Sequence, residues 1–222
     1  MQNCLGIYIE NNLIKYAKVS KDRDTFKVDA FGIRFFDNLN EAIKKIVEET
    51  YSFTTPISIN LANEQYLYYD IFALLSKNDI QKTVETEFET FCDENKYNQK
   101  AFETRYALVS NVQNKERIKA IQVIVNKIEL NKQKQYLEKH NLSGILPIGT
   151  AIASITRFEK KENVLIVNME EKTTITTIYD RQIYNVETID HGSQEVLEKI
   201  NRTENSMSKA YEICKGTTIY TA

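Results

Sequence analysis

The sequence predicts an α/β protein in which two similar β-hairpin units flank a smaller block of different character. Three observations carry this reading. Residues 5–19 (LGIYIENNLIKYAKV) and 164–180 (VLIVNMEEKTTITTIYD) share one pattern about 160 residues apart: an apolar run, a polar turn and a second alternating run. Residues 40–49 place Ala42, Ile43, Ile46 and Val47 on one helical stripe, and after Pro56 a further β-type run follows, so helix and sheet form layers. The stretch 67–142 between the hairpins reads as a strand–helix–strand–strand–helix block.

The elements follow in order. Residues 5–9, 13–20 and 26–35 are three strands joined by short polar turns, the first being Glu10-Asn11-Asn12. Asn38 or Asn40 caps the helix over 40–49, and residues 57–61 form the next strand. Residues 65–73 are extended and aromatic. Ser76, with Asp79 at the third helical position, opens a helix to about residue 91, with Val84, Phe88 and Phe91 as its apolar stripe. Strands over 102–110 and 118–126 flank a polar turn at 111–116, and a helix covers 127–139. Residues 146–150 turn into a short helix at 151–158. A solvated linker, Lys160-Lys161-Glu162, leads to the second hairpin, a strand at 182–189, a helix over 193–201 and the start of another at 207–215. The second unit is expected to lack a closing element before residue 222.

Composition narrows the function. With 29 Lys and Arg against 31 Asp and Glu, the net charge is −2, which disfavours a broad nucleic-acid footprint. No apolar run approaches the ~20 residues that cross a bilayer, and the N-terminal stretch has neither the basic nor the apolar region of a secretory signal. Cys4, Cys92 and Cys214 lie far apart and read as reduced thiols of a cytosolic protein. His140, after a helix, and His191, in a turn, lack the neighbours that a zinc site or a Ser-His-Asp triad needs.

A meander, a helix, a strand, an inserted α/β block, a helix and the meander again resembles the actin-like (ribonuclease H-like) ATPase fold. The placement of the block resembles the FtsA and PilM branch of that fold. Gly6-Ile7-Tyr8-Ile9-Glu10-Asn11-Asn12-Leu13-Ile14-Lys15 lies in register along the PilM-like pattern G-[IL]-D-I-G-S-x-x-[IV]-K. Leu75-Ser76-Lys77-Asn78-Asp79-Ile80, followed by Thr86-Glu87, resembles the opening of the family's inserted block. Asn168-Met169-Glu170-Glu171-Lys172-Thr173-Thr174, and later His191-Gly192-Ser193-Gln194, take the places of the second hairpin motif D-I-G-x-x-x-T and of the glycine turn before a helix. The resemblance implies a first subdomain of residues 1–66 plus 143–160, an inserted subdomain of 67–142 and a partial second subdomain of 161–222, the adenine-holding half lying beyond.

In that fold an Asp at the first strand's end directs Mg²⁺, and a turn Gly lets backbone N–H groups approach phosphate. Here Tyr8 and Asn168 replace the Asp residues, and Glu10 and Glu170 replace the Gly residues. A carboxylate ~4 Å from a phosphate costs on the order of 1 kcal/mol in water and several in a partly buried cleft. Tyr8, Glu10, Asn11, Asn12, Asn168, Glu170, Thr173 and Thr174 are therefore degenerate phosphate-loop positions. The expectation is a pseudo-ATPase with no cofactor, ATP and Mg²⁺ entering only if these motifs still bind. By themselves, Glu10, Glu170 and Glu171 read most simply as solvated turn residues, the alternatives being a nucleotide or metal site or an acidic cleft for a basic peptide.

The resemblance implies a non-catalytic cytoplasmic scaffold of a type IV pilus or related secretion machine, peripheral to the inner membrane. It would bind the cytoplasmic tail of a bitopic, PilN-like protein and engage a motor component or itself, with no nucleic acid and no direct membrane insertion. The run Tyr66-Leu67-Tyr68-Tyr69 reads most simply as core and strand surface; as an interaction edge, it offers Tyr66 and Tyr68, on one face of the 65–73 strand, as the candidate partner anchors. An FtsA-like division protein and an ATP-binding enzyme of the same superfamily are the alternatives within the fold; an unrelated α/β binding module is the alternative outside it.

Overall fold

The computed structural model describes residues 2–23, 25–110, 114, 116–158 and 163–216. Most of the turn expected at 111–116, the Lys160-Lys161-Glu162 linker and residues 217–222 lie outside the described residues. Three strands, β1 (Gln2–Glu10), β2 (Leu13–Asp22) and β3 (Thr25–Phe35), form the expected meander. Helix α1 (Leu39–Glu49) follows, capped by Asn38, whose side chain accepts the Glu41 N–H. Strands β4 (Ile57–Asn60) and β8 (Leu142–Leu146) add in parallel beyond β1, giving the order β3-β2-β1-β4-β8. The core lies between this sheet and α1: Leu5, Ile7, Ile14, Ile57 and Ile59 pack on Ala42, Ile43, Ile46 and Val47.

Between β4 and β8 the chain builds a second sheet from β5 (Gln65–Phe72), β6 (Phe102–Ser110) and β7 (Arg117–Asn126), in the order β5-β7-β6 and antiparallel throughout. Helix α2 (Lys77–Glu94) covers one face, with Ile80, Val84, Phe88 and Cys92 at four-residue spacing packed on β5 and β7. Helix α3 (Lys127–Tyr136) ends three residues short of the expected helix. Just past its end, Leu137 enters the core of the five-stranded sheet, and the buried Gln133 side chain donates to the Asn60 carbonyl at 2.9 Å.

Two local expectations are corrected. The segment read as the start of a turn before the short helix is in part strand β8, and the helix begins earlier, as α4 (Ile148–Ala153), followed by a 3₁₀ segment, Ser154–Phe158. The cap explains the earlier start. The Ile148 N–H is taken by the Glu64 carboxylate at 2.7 Å and the Gly149 N–H by the Tyr66 hydroxyl at 3.2 Å. These orphan donors are met from far along the chain instead of by a local capping residue. The second hairpin, β9 (Val164–Met169) and β10 (Thr173–Tyr179), continues into β11 (Gln182–Ile189) to form a third sheet. Asp180 and Arg181, both at positive φ, make the tight turn between β10 and β11. Helices α5 (Ser193–Glu204) and α6 (Met207–Gly216) follow.

Candidate functional site: a carboxylate cleft and an adjoining groove

The two hairpin turns face each other. β1 is held to its end by Asn60, whose side chain accepts the Ile9 N–H at 2.7 Å and donates to the Ile9 carbonyl at 3.0 Å, in the manner of a neighbouring strand. That contact fixes Glu10 at the lip of the turn, where Asn11 takes a positive φ that asparagine tolerates. From β2, Lys15 reaches across to form an ion pair with Glu170 in the opposite turn, and its ammonium lies 5.9 Å from the Tyr8 ring centre. Glu10 is only 5% exposed. The expectation that Glu10 is a solvated turn residue is thus corrected: the second hairpin, remote in sequence, covers it. Glu170 is half-buried, and Glu171 is exposed as expected.

This crowding sets the protonation chemistry. Burial, then repulsion from Glu170, raises the Glu10 pKa to about 8 despite the nearby Lys15 ammonium; a hydrogen bond with the Glu170 carboxyl adds to the rise. Burial first, then the charges of Glu10, Glu170, Glu171 and Glu64, pushes the Tyr8 phenol well above its usual range. Glu64 is raised to about 7 by burial, against the hydrogen bonds that it accepts from Tyr66 and the α4 backbone.

Of the remaining phosphate-loop positions, Thr173 is satisfied internally, while the Asn12 Oδ1 atom has no hydrogen-bond partner among the described residues. Thr173 is buried and donates its hydroxyl to the His191 carbonyl at 2.7 Å; Thr174 is buried beside the cleft. Asn168 is half-buried on β9, its backbone paired opposite Thr174, and Asn12 is half-buried in the first turn. Gly192 packs so tightly on the second turn that a Cβ there would lie 1.9 Å from the Glu170 carbonyl oxygen. That closeness lets Gln194 N–H (3.3 Å) and the Ser193 hydroxyl (3.3 Å) donate to the same carbonyl. Donors at the start of α5, the kind that meet anions elsewhere, are here spent on the hairpin. The cleft between the turns has a volume of about 560 Å³.

A larger groove of about 1100 Å³ lies on the face of the β5-β7-β6 sheet away from α2. Ile121, Val123 and Val125 of β7 form its floor. Ala107 and Arg105, paired opposite Ile121 and Val123, extend it along β6. Its other walls are β8, the start of α4 and the β10–β11 turn. Both β6 and β8 are edge strands among the described residues, so backbone groups not paired with a further strand border it, although the Ser110 N–H at the end of β6 is taken by the Gln182 side chain at 2.9 Å.

Tyr66 and Tyr68 share a face, as alternation requires, but neither stands free as an anchor. Tyr66 lines the groove with its hydroxyl donating to Glu64. Tyr68 donates to the Val186 carbonyl at 2.6 Å and accepts the Val186 N–H at 2.7 Å, clamping β11 to the inserted sheet. Burial raises its pKa to about 12. Lys119 completes the clamp between the Tyr68 and Tyr184 rings, 4.7 and 4.3 Å from their centres, and donates to the Tyr184 carbonyl at 3.0 Å. The identities of Gln65 to Ala73 did not signal this clamp, because Val186 lies 118 residues away. No group of metal-ligating side chains and no helix long and apolar enough to cross a membrane occurs among the described residues.

No family model matches the chain, and none of the curated proteins matches it in sequence. Solved structures do. The PilM-PilN type IV pilus biogenesis complex superposes with a TM-score of 0.75 at 14% identity, over 96% of this chain and 69% of that chain. The cytoplasmic domain of EpsL, an inner membrane component of the type II secretion system of Vibrio cholerae, gives 0.60 at 14% identity, over 89% and 74%. The ethanolamine utilization protein EutJ from Carboxydothermus hydrogenoformans gives 0.51 at 9%, over 97% and 62%. The chain has the actin-like ATPase fold, and among these it is most similar to the pilus complex.

Proposed function

We propose that this protein is a cytoplasmic, non-catalytic scaffold of a type IV pilus or related secretion machine, and that it binds the cytoplasmic tail of a PilN-like inner-membrane protein. The observation that carries the proposal is the groove of about 1100 Å³, apolar on its floor and bordered by the free edges of β6 and β8. Such a groove suits an extended peptide: edge backbone groups supply hydrogen bonds and the floor takes alternate side chains. The likeness to the PilM-PilN complex supports the choice of partner, and the EpsL domain supports the secretion context. The pseudo-ATPase reading is supported by the carboxylates of Glu10 and Glu170 at the two turns and by the Lys15–Glu170 ion pair across them.

The test is binding of a labelled PilN-like tail peptide to the wild type and to Ala107→Arg. Ala107 is exposed on the groove side of β6, so arginine there obstructs the groove without entering a core. The expected result is at least a tenfold loss of affinity, about 1.4 kcal/mol, with an unchanged melting temperature. Equal binding by both proteins removes the groove as the site, and no binding by the wild type removes the scaffold reading.

A further inference from the structure

We propose that the cleft between the two hairpin turns is a binding site for an organic cation, a guanidinium or primary ammonium group, received by Glu10 and Glu64. Glu10 is 95% buried, its complement of 5% exposure, and lines the cleft. Its Oε1 atom has no hydrogen-bond partner among the described residues. Glu64 also lines the cleft. One of its oxygens holds the Tyr66 hydroxyl and the Ile148 N–H, while the other, Oε2, is buried and unpartnered. Asn12 Oδ1, in the same turn as Glu10, is a third such atom. All three are acceptors. A buried acceptor without a donor costs ~1–3 kcal/mol, more when charged, and one multi-donor cation relieves several at once.

The cleft's charge has the matching sign. Its lining holds five carboxylates (Glu10, Asp37, Glu64, Glu129, Glu171) against two lysines, a balance of −3 at full ionisation. Of these two, Lys132 is exposed on α3 and Lys172 is already paired with Asp190 at 2.7 Å. Lys15 is close enough to influence Glu10, but its ammonium bonds Glu170. The Tyr8, Phe36 and Tyr136 rings in the lining add faces that favour a cation. The same features repel a nucleotide's phosphates, so the site has changed ligand sign within its fold.

A second readout comes from the proton that Glu10 holds near neutral pH among Tyr8, Lys15, Glu170 and Glu171. A bound cation favours the carboxylate, so binding near pH 7 releases a proton.

Isothermal titration with agmatine, spermidine and capped arginine amide tests the proposal on wild type, Glu10→Gln and Glu64→Gln. Agmatine and spermidine represent a free amine, capped arginine amide a peptide side chain. The expected result is saturable binding of at least one probe with a dissociation constant below about 1 mM and a heat that varies with buffer ionisation enthalpy. At least a tenfold loss is expected in each variant. No saturable heat from any probe up to about 10 mM, or wild-type affinity in both variants, overturns the proposal. Thermal unfolding confirms that the near-isosteric variants fold. Tail-peptide binding, measured on the same samples, separates failure of this site from failure of the groove.

Discussion

Tyr68→Phe removes one oxygen and keeps the ring, so it isolates the hydroxyl that clamps β11 to the inserted sheet. That hydroxyl is the partner of both backbone groups of Val186, which is 3% exposed. Each stranded buried group costs ~1–3 kcal/mol. The phenylalanine no longer buries a hydroxyl, and β11 relaxes somewhat, so the net expectation is a loss of about 2–3 kcal/mol. The cation–π contact with Lys119 survives, because the ring face is unchanged. For a chain of this size, each kcal/mol shifts the melting temperature by ~2–4 °C, which gives a fall of about 4–12 °C. Denaturant unfolding followed by circular dichroism, with Tyr106→Phe on the exposed strand β6 as control, measures it. A change below about 0.5 kcal/mol, the range of ordinary surface substitutions, refutes the view that this hydroxyl clamps β11 to the inserted sheet.

Three further expectations follow from the cleft. Gly192→Ala places a Cβ 1.9 Å from the Glu170 carbonyl and should destabilise by about 1–3 kcal/mol in thermal unfolding; a neutral result shows that α5 can lift off the hairpin freely. Glu10 and Glu64 have folded pKa values of about 8 and about 7, raised above their ordinary value of 4.5, so the folded state binds more protons between those limits. Their stabilising contribution is complete below about pH 4.5 and fades as pH rises through 7 and 8. Glu10→Gln should flatten that decline between about pH 4.5 and about 8 in a melting-temperature series, and an unchanged slope removes Glu10 as its source. Titration with Mg-ATP should give no dissociation constant below about 10 μM, roughly −7 kcal/mol; tighter binding removes the pseudo-ATPase reading.

The plan of the chain was legible where signals are local. Period-two runs around Glu10-Asn11-Asn12 and the Ser76 and Asn38 caps fall where short-range chemistry puts them. Strand β8 was not legible: LSGIL is short and lacks alternation, and its pairing with β4 is decided by a core that the sequence does not display. The start of α4 was hidden for the same reason, since its cap is Glu64, 84 residues away. At the site, alternation gave the shared face of Tyr66 and Tyr68 but not what that face meets. An acidic residue in a turn reads as solvated unless the element that covers it is known. Glu10 is buried by a hairpin whose Glu170 lies 155 residues from Lys15, its ion-pair partner.

The substitutions at the two turns act together. A glutamate at 170 is tolerated because Lys15 neutralises it, and that pairing occupies the lysine. Glu10 is left with burial and a neighbouring carboxylate, which is why it is raised while Lys15 sits nearby. The start of α5 is turned to the same end, with Ser193 and Gln194 donating to the Glu170 carbonyl and Gly192 permitting the approach. Replacing Glu10 by glycine alone would therefore leave Lys15 paired, the helix donors engaged and Glu64 still an acceptor in the cleft. The cleft's preference for donors over phosphate resides in this coupled set and not in any one residue, and the groove remains a separate surface on the other side of the Tyr66–Glu64 contact.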